Sequence, residues 1–257
     1  MSSLVDCQIN NGVCIITLSA PPVNALTVDM VTELQGVQTD LVESGVRVAV
    51  VRSGIPGFFI AGADLKLLGE ASAPAFVDYV DQVRLMIESF SEAPYLTIAG
   101  IDGHALGGGL ELALACSIRV VGLGAKLGLP EVKLGVVPGA GGTQRLARLL
   151  PRGKALDLLL TGRSVGAEEA YDLGIVDRVV SEKEGGAEAA LKLAQDLADG
   201  PIQAYQGILR CVNAARDLDF QSSMVVERNE VIRLFGSSDG REGIKAFLEK
   251  RKPVFGS

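Results

Sequence analysis

The chain has 257 residues, of which 48% are hydrophobic and 21% charged, a composition typical of a globular protein with a substantial core. The formal net charge of −7 argues against a nucleic-acid partner, and no apolar run reaches the roughly 18 residues of a membrane span. The N-terminal sequence lacks the basic and apolar segments of a signal peptide, so we expect a cytoplasmic protein.

Four cysteines and one histidine limit the chemistry that the side chains offer. The cysteines show no CxxC spacing, and we interpret them as reduced, mostly buried thiols. His104 is the only histidine, which disfavours a zinc site and a Ser-His-Asp triad. A packed loop or core histidine is the simpler interpretation of His104, and we expect no metal site.

Apolar periodicity and turn residues predict alternating strands and helices over the first 180 residues. The chain begins with a β-hairpin over residues 5–19, and Thr27 is an N-cap candidate for the first helix. Further strands are predicted at 47–52, at the start of FFIAGADLKLL, and at 95–101, 118–121 and 175–180. Helices are predicted at 27–42, at the end of FFIAGADLKLL, and at 73–92, 142–150, 153–160 and 167–173.

The last part of the chain is predicted to be entirely helical. From Gly186 onward the periodicity is that of helices, with breaks near Gly200-Pro201 and over residues 236–239. Alternating β and α elements followed by α elements alone indicate an α/β core with a C-terminal helical extension.

Two isolated acids stand in apolar surroundings. The segment from Leu110 to Cys116 is apolar on every helical face except at Glu111, and Glu131 is similarly isolated after a leucine-rich stretch. An ionised carboxylate buried there is costly unless it is partnered, protonated or faces a cavity. A buried salt bridge to Arg119 or Arg145 is therefore the alternative to a functional role for Glu111.

Glycines lie close to both acids. Gly107, Gly108 and Gly109 precede the Glu111 helix, and the stretch from Ile60 to Asp64 in FFIAGADLKLL is a similar small-residue turn between a strand and a helix. Such turns expose backbone N–H groups at a helix N-terminus, which suits an anion or a developing oxyanion, although tight packing alone also explains them. A phosphate loop and a dinucleotide fingerprint are both incomplete in this sequence. Two such turns and two acids together predict a site for proton transfer beside a polarised carbonyl.

Three stretches carry a family resemblance: FFIAGADLKLL, GHALGGGLELALACSIRV and GLPEVKLGVVPGAGGTQRL. They resemble the crotonase superfamily, and within it most closely the enoyl-CoA hydratases, over nearly the whole chain. The resemblance implies an α/β fold with a crotonase-like ββα spiral core over residues 1–195 and a C-terminal all-helical oligomerisation region over 196–257. It also implies a homotrimer or a homohexamer built from two trimers.

The resemblance further implies the roles of individual residues. The backbone N–H groups of Ala63 and Gly108 would form an oxyanion hole for the carbonyl of an acyl-CoA thioester, and Glu111 and Glu131 would be the catalytic acids. Coenzyme A is then part of the substrate, and no separate cofactor is expected. The residues expected to bind the substrate or its CoA moiety are Ala25, Leu26, Ala61, Gly62, Asp64, Leu65, Lys66, Gly107, Pro130 and Gly139.

Because hydratases of this family use both glutamates, the resemblance implies hydration of a trans-2-enoyl-CoA to a 3-hydroxyacyl-CoA, in fatty-acid or related acyl-CoA degradation. The alternatives on the same fold are an enoyl-CoA delta-isomerase, a specialised acyl-CoA dehydratase and a thioester hydrolase. Alternatives of other classes are an RNA-binding protein, disfavoured by the charge, and a nicotinamide enzyme. The sequence leaves open which glutamate is acid and which base. It also leaves open whether Phe76, Tyr79, Leu85 or the region of Phe235 closes the acyl pocket or only packs the core.

Overall fold

A computed structural model describes residues 3–181 and 183–256. Strands and helices alternate along most of the chain, and the strands form two sheets. The last part of the chain is wholly helical. The strands are β1 (Val5–Asn10), β2 (Val13–Leu18), β3 (Val48–Ser53), β4 (Phe58–Ile60), β5 (Leu96–Ile101), β6 (His104–Leu106), β7 (Ile118–Gly122), β8 (Lys126–Gly128), β9 (Ser164–Gly166) and β10 (Arg178–Val180). The helices are α1 (Val28–Glu43), α2 (Leu65–Glu70), α3 (Ala73–Ser91), α4 (Gly108–Ala115), α5 (Gly142–Leu149), α6 (Arg152–Thr161), α7 (Ala167–Leu173), α8 (Gly186–Ala198), α9 (Ile202–Asp217), α10 (Phe220–Phe235) and α11 (Ser238–Leu248), with a short 3-10 helix at Pro130–Leu134.

The larger sheet has six strands in the order β1-β2-β3-β5-β7-β10. The hairpin of β1 and β2 is antiparallel, whereas β2, β3, β5, β7 and β10 run parallel. The smaller sheet has the order β4-β6-β8-β9, in which only the last pair is antiparallel. Successive units therefore add one strand to each sheet, and the ends of β4 and β6 lie side by side, where α2 and α4 follow.

The larger sheet is buried on both faces. On β3, Ala49 and Val51 belong to the main core, while Val48 and Val50 pack in a second core together with Leu193 of α8. A strand covered on both faces needs a continuous apolar run rather than an alternating one, which is what VAVV supplies. At Gly100 on β5, an added Cβ would lie 2.7 Å from the Cα of Ala187, so only glycine lets α8 approach this closely.

The predicted elements are largely confirmed. The hairpin, the helix capped by Thr27, the strand-turn-helix unit at 58–70 and the helix that carries Glu111 all form. The prediction missed β6, β8, β9 and the 3-10 helix, which are too short to show a periodicity. The strand predicted at 175–180 is shorter: β10 begins at Arg178, because the N–H groups of Ile175 and Val176 donate to the Ala170 carbonyl of α7.

Helices α9, α10 and α11 form the C-terminal region, whose helical character is confirmed. The sequence analysis missed the break between α9 and α10, where Asp219 caps α10 through the Ser222 N–H. Few residues of these helices are buried, and large apolar side chains remain exposed on them. They are Ile208, Val212, Phe220, Met224, Val225, Val231, Ile232, Phe235, Ile244, Phe247 and Leu248. The predicted division at residue 195 falls inside α8, and both it and the predicted oligomer stay predictions.

Among the described residues, no helix combines the length and apolar character that a membrane crossing requires. The same residues contain no group of three or more metal-ligating side chains. The four cysteines are free thiols. His104 lies on β6 with its ring edge-to-face against Phe58, at 5.4 Å between centroids, in agreement with its interpretation as a packed residue.

Candidate active site

A cavity of about 830 Å³ lies where α2, α3 and α4 meet the ends of β4 and β6. Every residue that the sequence analysis singled out as catalytic, oxyanion-binding or substrate-binding lines this cavity. These are Glu111, Glu131, Ala63, Gly108, Ala25, Leu26, Ala61, Gly62, Asp64, Leu65, Lys66, Gly107, Pro130 and Gly139. The structure thus brings the predicted set together in one cavity.

The first glycine turn follows β4. Gly62 has φ +110°, a conformation that strongly favours glycine, and its carbonyl accepts a hydrogen bond from the Leu26 N–H at 2.8 Å. The pairing of Leu26 with Ala63 leaves the Ala63 N–H without a hydrogen-bond partner among the described residues. Asp64 then caps α2, with its carboxylate accepting from the Lys66 N–H at 2.9 Å. A donor is therefore held on the cavity wall at Ala63.

The second glycine turn follows β6. Gly107 has φ +54° and donates to the Gly128 carbonyl at 2.9 Å, which fixes the chain direction just before α4. Gly108 is the first residue of α4, and its N–H has no partner among the described residues. Such an N–H carries the partial positive charge of a helix N-terminus. The cavity is thus lined by two backbone segments that each carry a free donor, at Ala63 and at Gly108.

Glu111 is only 3% exposed and is held by backbone donors. Its Oε1 accepts from the Ala140 N–H at 2.8 Å and from the Gly142 N–H at 2.7 Å. A Cβ on Gly142 would lie 3.0 Å from Oε1, so the glycine allows the backbone to come this close. Two donors on one oxygen orient the carboxylate and leave Oε2 as its free atom.

Neither arginine proposed as a buried partner contacts Glu111. Arg119 pairs with Asp177 at 2.7 Å, and Arg145 pairs with Glu88 at 2.8 Å while donating to the Ala140 carbonyl. The salt-bridge alternative is therefore wrong, because each cation is bound by another carboxylate. Arg145 still acts on Glu111 from a distance, since its positive charge opposes the rise in pKa that burial causes.

Glu131 lies in the 3-10 helix and is partly buried, and its Oε2 is buried without a hydrogen-bond partner among the described residues. A Cβ on Gly107 would be 2.9 Å from its Oε1, so this carboxylate faces the second glycine turn. Burial, together with the negative charge of Glu111, raises the pKa of Glu131 to about 7. Burial also raises the pKa of Glu111, although its two backbone donors and Arg145 act against that rise.

Tyr79 of α3 packs in the main core and also lines the cavity, so whether it closes the acyl pocket stays a prediction. It is 7% exposed, lines the cavity and donates from its hydroxyl to the Leu26 carbonyl at 2.7 Å. Burial and the negative charge of Asp64 raise its pKa to about 12, so the hydroxyl stays protonated. Phe76 also lines the cavity, whereas Leu85 and Phe235 do not.

The cavity walls include residues that the sequence analysis did not single out. Val80, Val83, Leu134, Val136 and Val137 all line it. On α3, Val80 and Val83 have the spacing of ordinary core residues, and only the observed fold distinguishes them from the rest of the apolar face.

Known proteins are similar to this chain in sequence and in fold. The chain is 38% identical over 256 residues to a probable enoyl-CoA hydratase of Bacillus subtilis, covering 98% of both chains. It is 36% identical over 253 residues to the human mitochondrial methylglutaconyl-CoA hydratase, covering 96% of this chain and 74% of the human protein. A crystal structure of enoyl-CoA hydratase from Bacillus anthracis superposes with a TM-score of 0.93 at 33% identity, covering 98% of each chain.

The fold and the site together define an enzyme of the crotonase superfamily. The family model described as enoyl-CoA hydratase/isomerase matches residues 8–257, and the chain belongs to that family. The resemblance and the fold class inferred from the sequence are confirmed.

Proposed function

We propose that this protein hydrates a trans-2-enoyl-CoA to a 3-hydroxyacyl-CoA. One observation carries the proposal: Glu111 and Glu131 line a single cavity together with the unpaired N–H groups of Ala63 and Gly108. Two carboxyl groups and two fixed donors are what the addition of water to a conjugated thioester requires.

The free donors polarise the substrate in this proposal. The thioester carbonyl oxygen accepts from the N–H groups of Ala63 and Gly108, which draws electron density from the C2–C3 double bond and makes C3 electrophilic. Because both donors belong to backbone fixed by neighbouring hydrogen bonds, they need little reorganisation as negative charge develops on the oxygen.

The surroundings of the two glutamates support a different role for each in this proposal. We infer that Glu111 is the base, because two backbone N–H groups donate to its Oε1 and favour the charged form against the burial that raises its pKa. Glu131 accepts no comparable pair, and its pKa of about 7 leaves much of it protonated at neutral pH. Glu111 then takes a proton from water as the water oxygen bonds to C3. The resulting enolate is protonated at C2 by Glu131, and proton exchange between the two carboxyls and solvent restores the starting state.

The products formed from two substrates test this function. Incubation with crotonyl-CoA is expected to give 3-hydroxybutyryl-CoA, heavier by one water, as detected by mass spectrometry. A 3-enoyl-CoA is the control substrate, since its conversion to the conjugated isomer without hydration of crotonyl-CoA would indicate an isomerase instead. Release of free coenzyme A from crotonyl-CoA would indicate a thioester hydrolase.

We also propose a role in fatty-acid or related acyl-CoA degradation, in the cytoplasm, as a homotrimer or homohexamer. The exposed apolar side chains of α9, α10 and α11 support self-association, because monomers rarely leave this many exposed on adjacent helices. Light scattering coupled to gel filtration tests the proposed oligomer, and a monomeric mass at micromolar concentration would contradict it.

A further inference from the structure

Asn24 is a polar residue with no surface exposed to solvent. It lies in the turn between β2 and α1, and the next two residues, Ala25 and Leu26, line the active-site cavity while Asn24 itself does not. A side-chain amide is costly to bury unless both its oxygen and its nitrogen are hydrogen-bonded. The partners of Asn24 therefore indicate what the residue does.

The side chain of Asn24 connects three strands. Its Oδ1 accepts from the Ala20 N–H at 2.6 Å, which closes the turn after β2. Its Nδ2 donates to the Leu18 carbonyl at 3.1 Å, to the Ser53 hydroxyl at 2.8 Å and to the Phe59 carbonyl at 3.1 Å. These three acceptors lie at the end of β2, at the end of β3 and within β4. One amide therefore ties the turn after β2 to β4, which leads directly into the first glycine turn.

The main chain on both sides of Asn24 pairs with the same glycine turn. The Ala61 N–H donates to the Val23 carbonyl at 3.1 Å. The Leu26 N–H donates to the Gly62 carbonyl at 2.8 Å, and the next N–H in the chain after Gly62 is the free donor of this turn. The position of that donor thus depends on how firmly the segment around Asn24 is held.

The backbone at Asn24 also favours asparagine. Its φ of +53° lies in the left-handed region, which asparagine adopts more readily than most residues other than glycine. Glycine would allow the same backbone but would supply none of the side-chain hydrogen bonds. Aspartate would keep the acceptor for the Ala20 N–H but has no amide donor for the Phe59 carbonyl. The backbone and the hydrogen bonds together therefore select asparagine here.

We propose that Asn24 is a positioning residue for the oxyanion hole. By bonding to β4 and to the turn after β2, it holds residues 23–26 against the glycine turn and so fixes the direction of the Ala63 N–H. This inference rests on the proposed hydratase function, in which that N–H polarises the thioester carbonyl. Asn24 does not line the cavity, so it acts through the backbone and not on the substrate.

A carbonyl probe measures this positioning separately from the reaction. Butyryl-CoA with a ¹³C-labelled thioester carbonyl has no double bond to hydrate, and its infrared carbonyl band moves to lower frequency when N–H groups donate to the oxygen. The band should be lowered in the wild-type complex. In Asn24→Asp it should return part of the way to the value of the free ester, because Gly108 still donates. We expect kcat on crotonyl-CoA to fall by about tenfold or more, with a smaller change in KM.

Gln38→Glu is the matched control, because it also exchanges a buried amide for a carboxyl. Gln38 is 4% exposed and its Oε1 accepts from the Tyr95 hydroxyl at 2.7 Å, but it does not line the cavity. This variant should lose stability without moving the carbonyl band. Ser53→Ala is a milder test that adds no charge, since it removes a single acceptor of the Asn24 amide. It should move the band in the same direction as Asn24→Asp, by a smaller amount.

The outcomes separate this inference from the proposed function. An unmoved band or an unchanged kcat in Asn24→Asp, or an equal shift of the band in Gln38→Glu, would show that Asn24 only stabilises the fold. If Asn24→Asp does not fold, an unmoved band in Ser53→Ala overturns the proposal. A wild-type enzyme that does not bind butyryl-CoA, or that leaves its band at the value of the free ester, would instead contradict the oxyanion hole of the proposed function.

Discussion

The hydroxyl of Tyr79 donates to the carbonyl of Leu26 at 2.7 Å. Leu26 also donates through its own N–H to the Gly62 carbonyl, one residue before the free donor of Ala63. The side chain of Leu26 also packs against Gly108, because a Cβ added to Gly108 would lie 2.6 Å from Cδ1 of Leu26. Tyr79 thus fixes a residue that touches both glycine turns, although Tyr79 itself carries no reacting atom in the proposed mechanism.

Tyr79→Phe tests this positioning role. Removing one buried hydrogen bond costs about 1 kcal/mol, which corresponds to a decrease in kcat of about fivefold if the loss falls on the transition state. We expect KM for crotonyl-CoA to change much less, because the cavity keeps its shape. Tyr171→Phe is the control, since Tyr171 is 53% exposed on α7. Equal changes in kcat and KM, or none in either, would argue that Tyr79 only packs.

Glu131→Gln tests the second carboxyl. The amide keeps the shape of the side chain but has no acidic proton, so kcat is expected to fall by about 10²–10⁴-fold with a modest change in KM. Glu168→Gln, an exposed substitution on α7, is the matched control and should leave the rate unchanged. A Glu131→Gln variant that hydrates crotonyl-CoA at nearly the wild-type rate would show that Glu131 is not the acid.

The pH profile follows from the raised pKa of Glu131. Because burial and the charge of Glu111 raise this pKa to about 7, the protonated form that donates to C2 is lost as pH increases through neutrality. The hydration rate in the forward direction should therefore fall above about pH 7, and not already above the ordinary glutamate pKa of about 4.3. Stopped-time assays of kcat between pH 5.5 and 9 with crotonyl-CoA check this, and a flat profile would contradict the assignment.

Gly107→Ala tests the close approach of backbone and carboxylate. At φ +54° a Cβ is strained, and here it would also lie 2.9 Å from Oε1 of Glu131. We expect a loss of about 1 kcal/mol in the free energy of unfolding and a large fall in kcat from the displaced carboxylate. Gly174→Ala is the control, since Gly174 has φ +84° but no atom near the added Cβ. We expect both variants to lose a similar amount of the free energy of unfolding, whereas only Gly107→Ala should lose activity. If both variants keep full activity, Glu131 does not need this approach.

Much of the fold could be predicted because its signals are local. Thr27 shows a cap followed by an apolar helical period, and the Val48–Val51 strand is a continuous apolar run. The strands β8 and β9 have three residues each, which is too short for a period, and they exist only because the smaller sheet supplies partners. The sequence could therefore indicate the alternation of elements but not the whole of the second sheet.

The sequence indicated residues that line the cavity, but it did not indicate the hydrogen bonds that hold them in place. A carboxylate in an apolar helix is costly to bury unless it faces a cavity or has a partner, and Glu111 does line the cavity. The sequence could not tell which groups bind it, because Ala140 and Gly142 are about thirty positions away and contribute backbone rather than side chains. For the same reason, Tyr79 resembled a core residue, since its partner is the main-chain carbonyl of Leu26.

Hydration in ¹⁸O-labelled water tests the central claim most directly. If Glu111 and Glu131 direct a water molecule onto C3, crotonyl-CoA should give 3-hydroxybutyryl-CoA with one ¹⁸O atom at C3 and the thioester intact. The label should be strongly reduced in Glu111→Gln and Glu131→Gln at equal protein concentration. Unlabelled product, label appearing in a free carboxylic acid, or undiminished labelling by both variants would contradict the account.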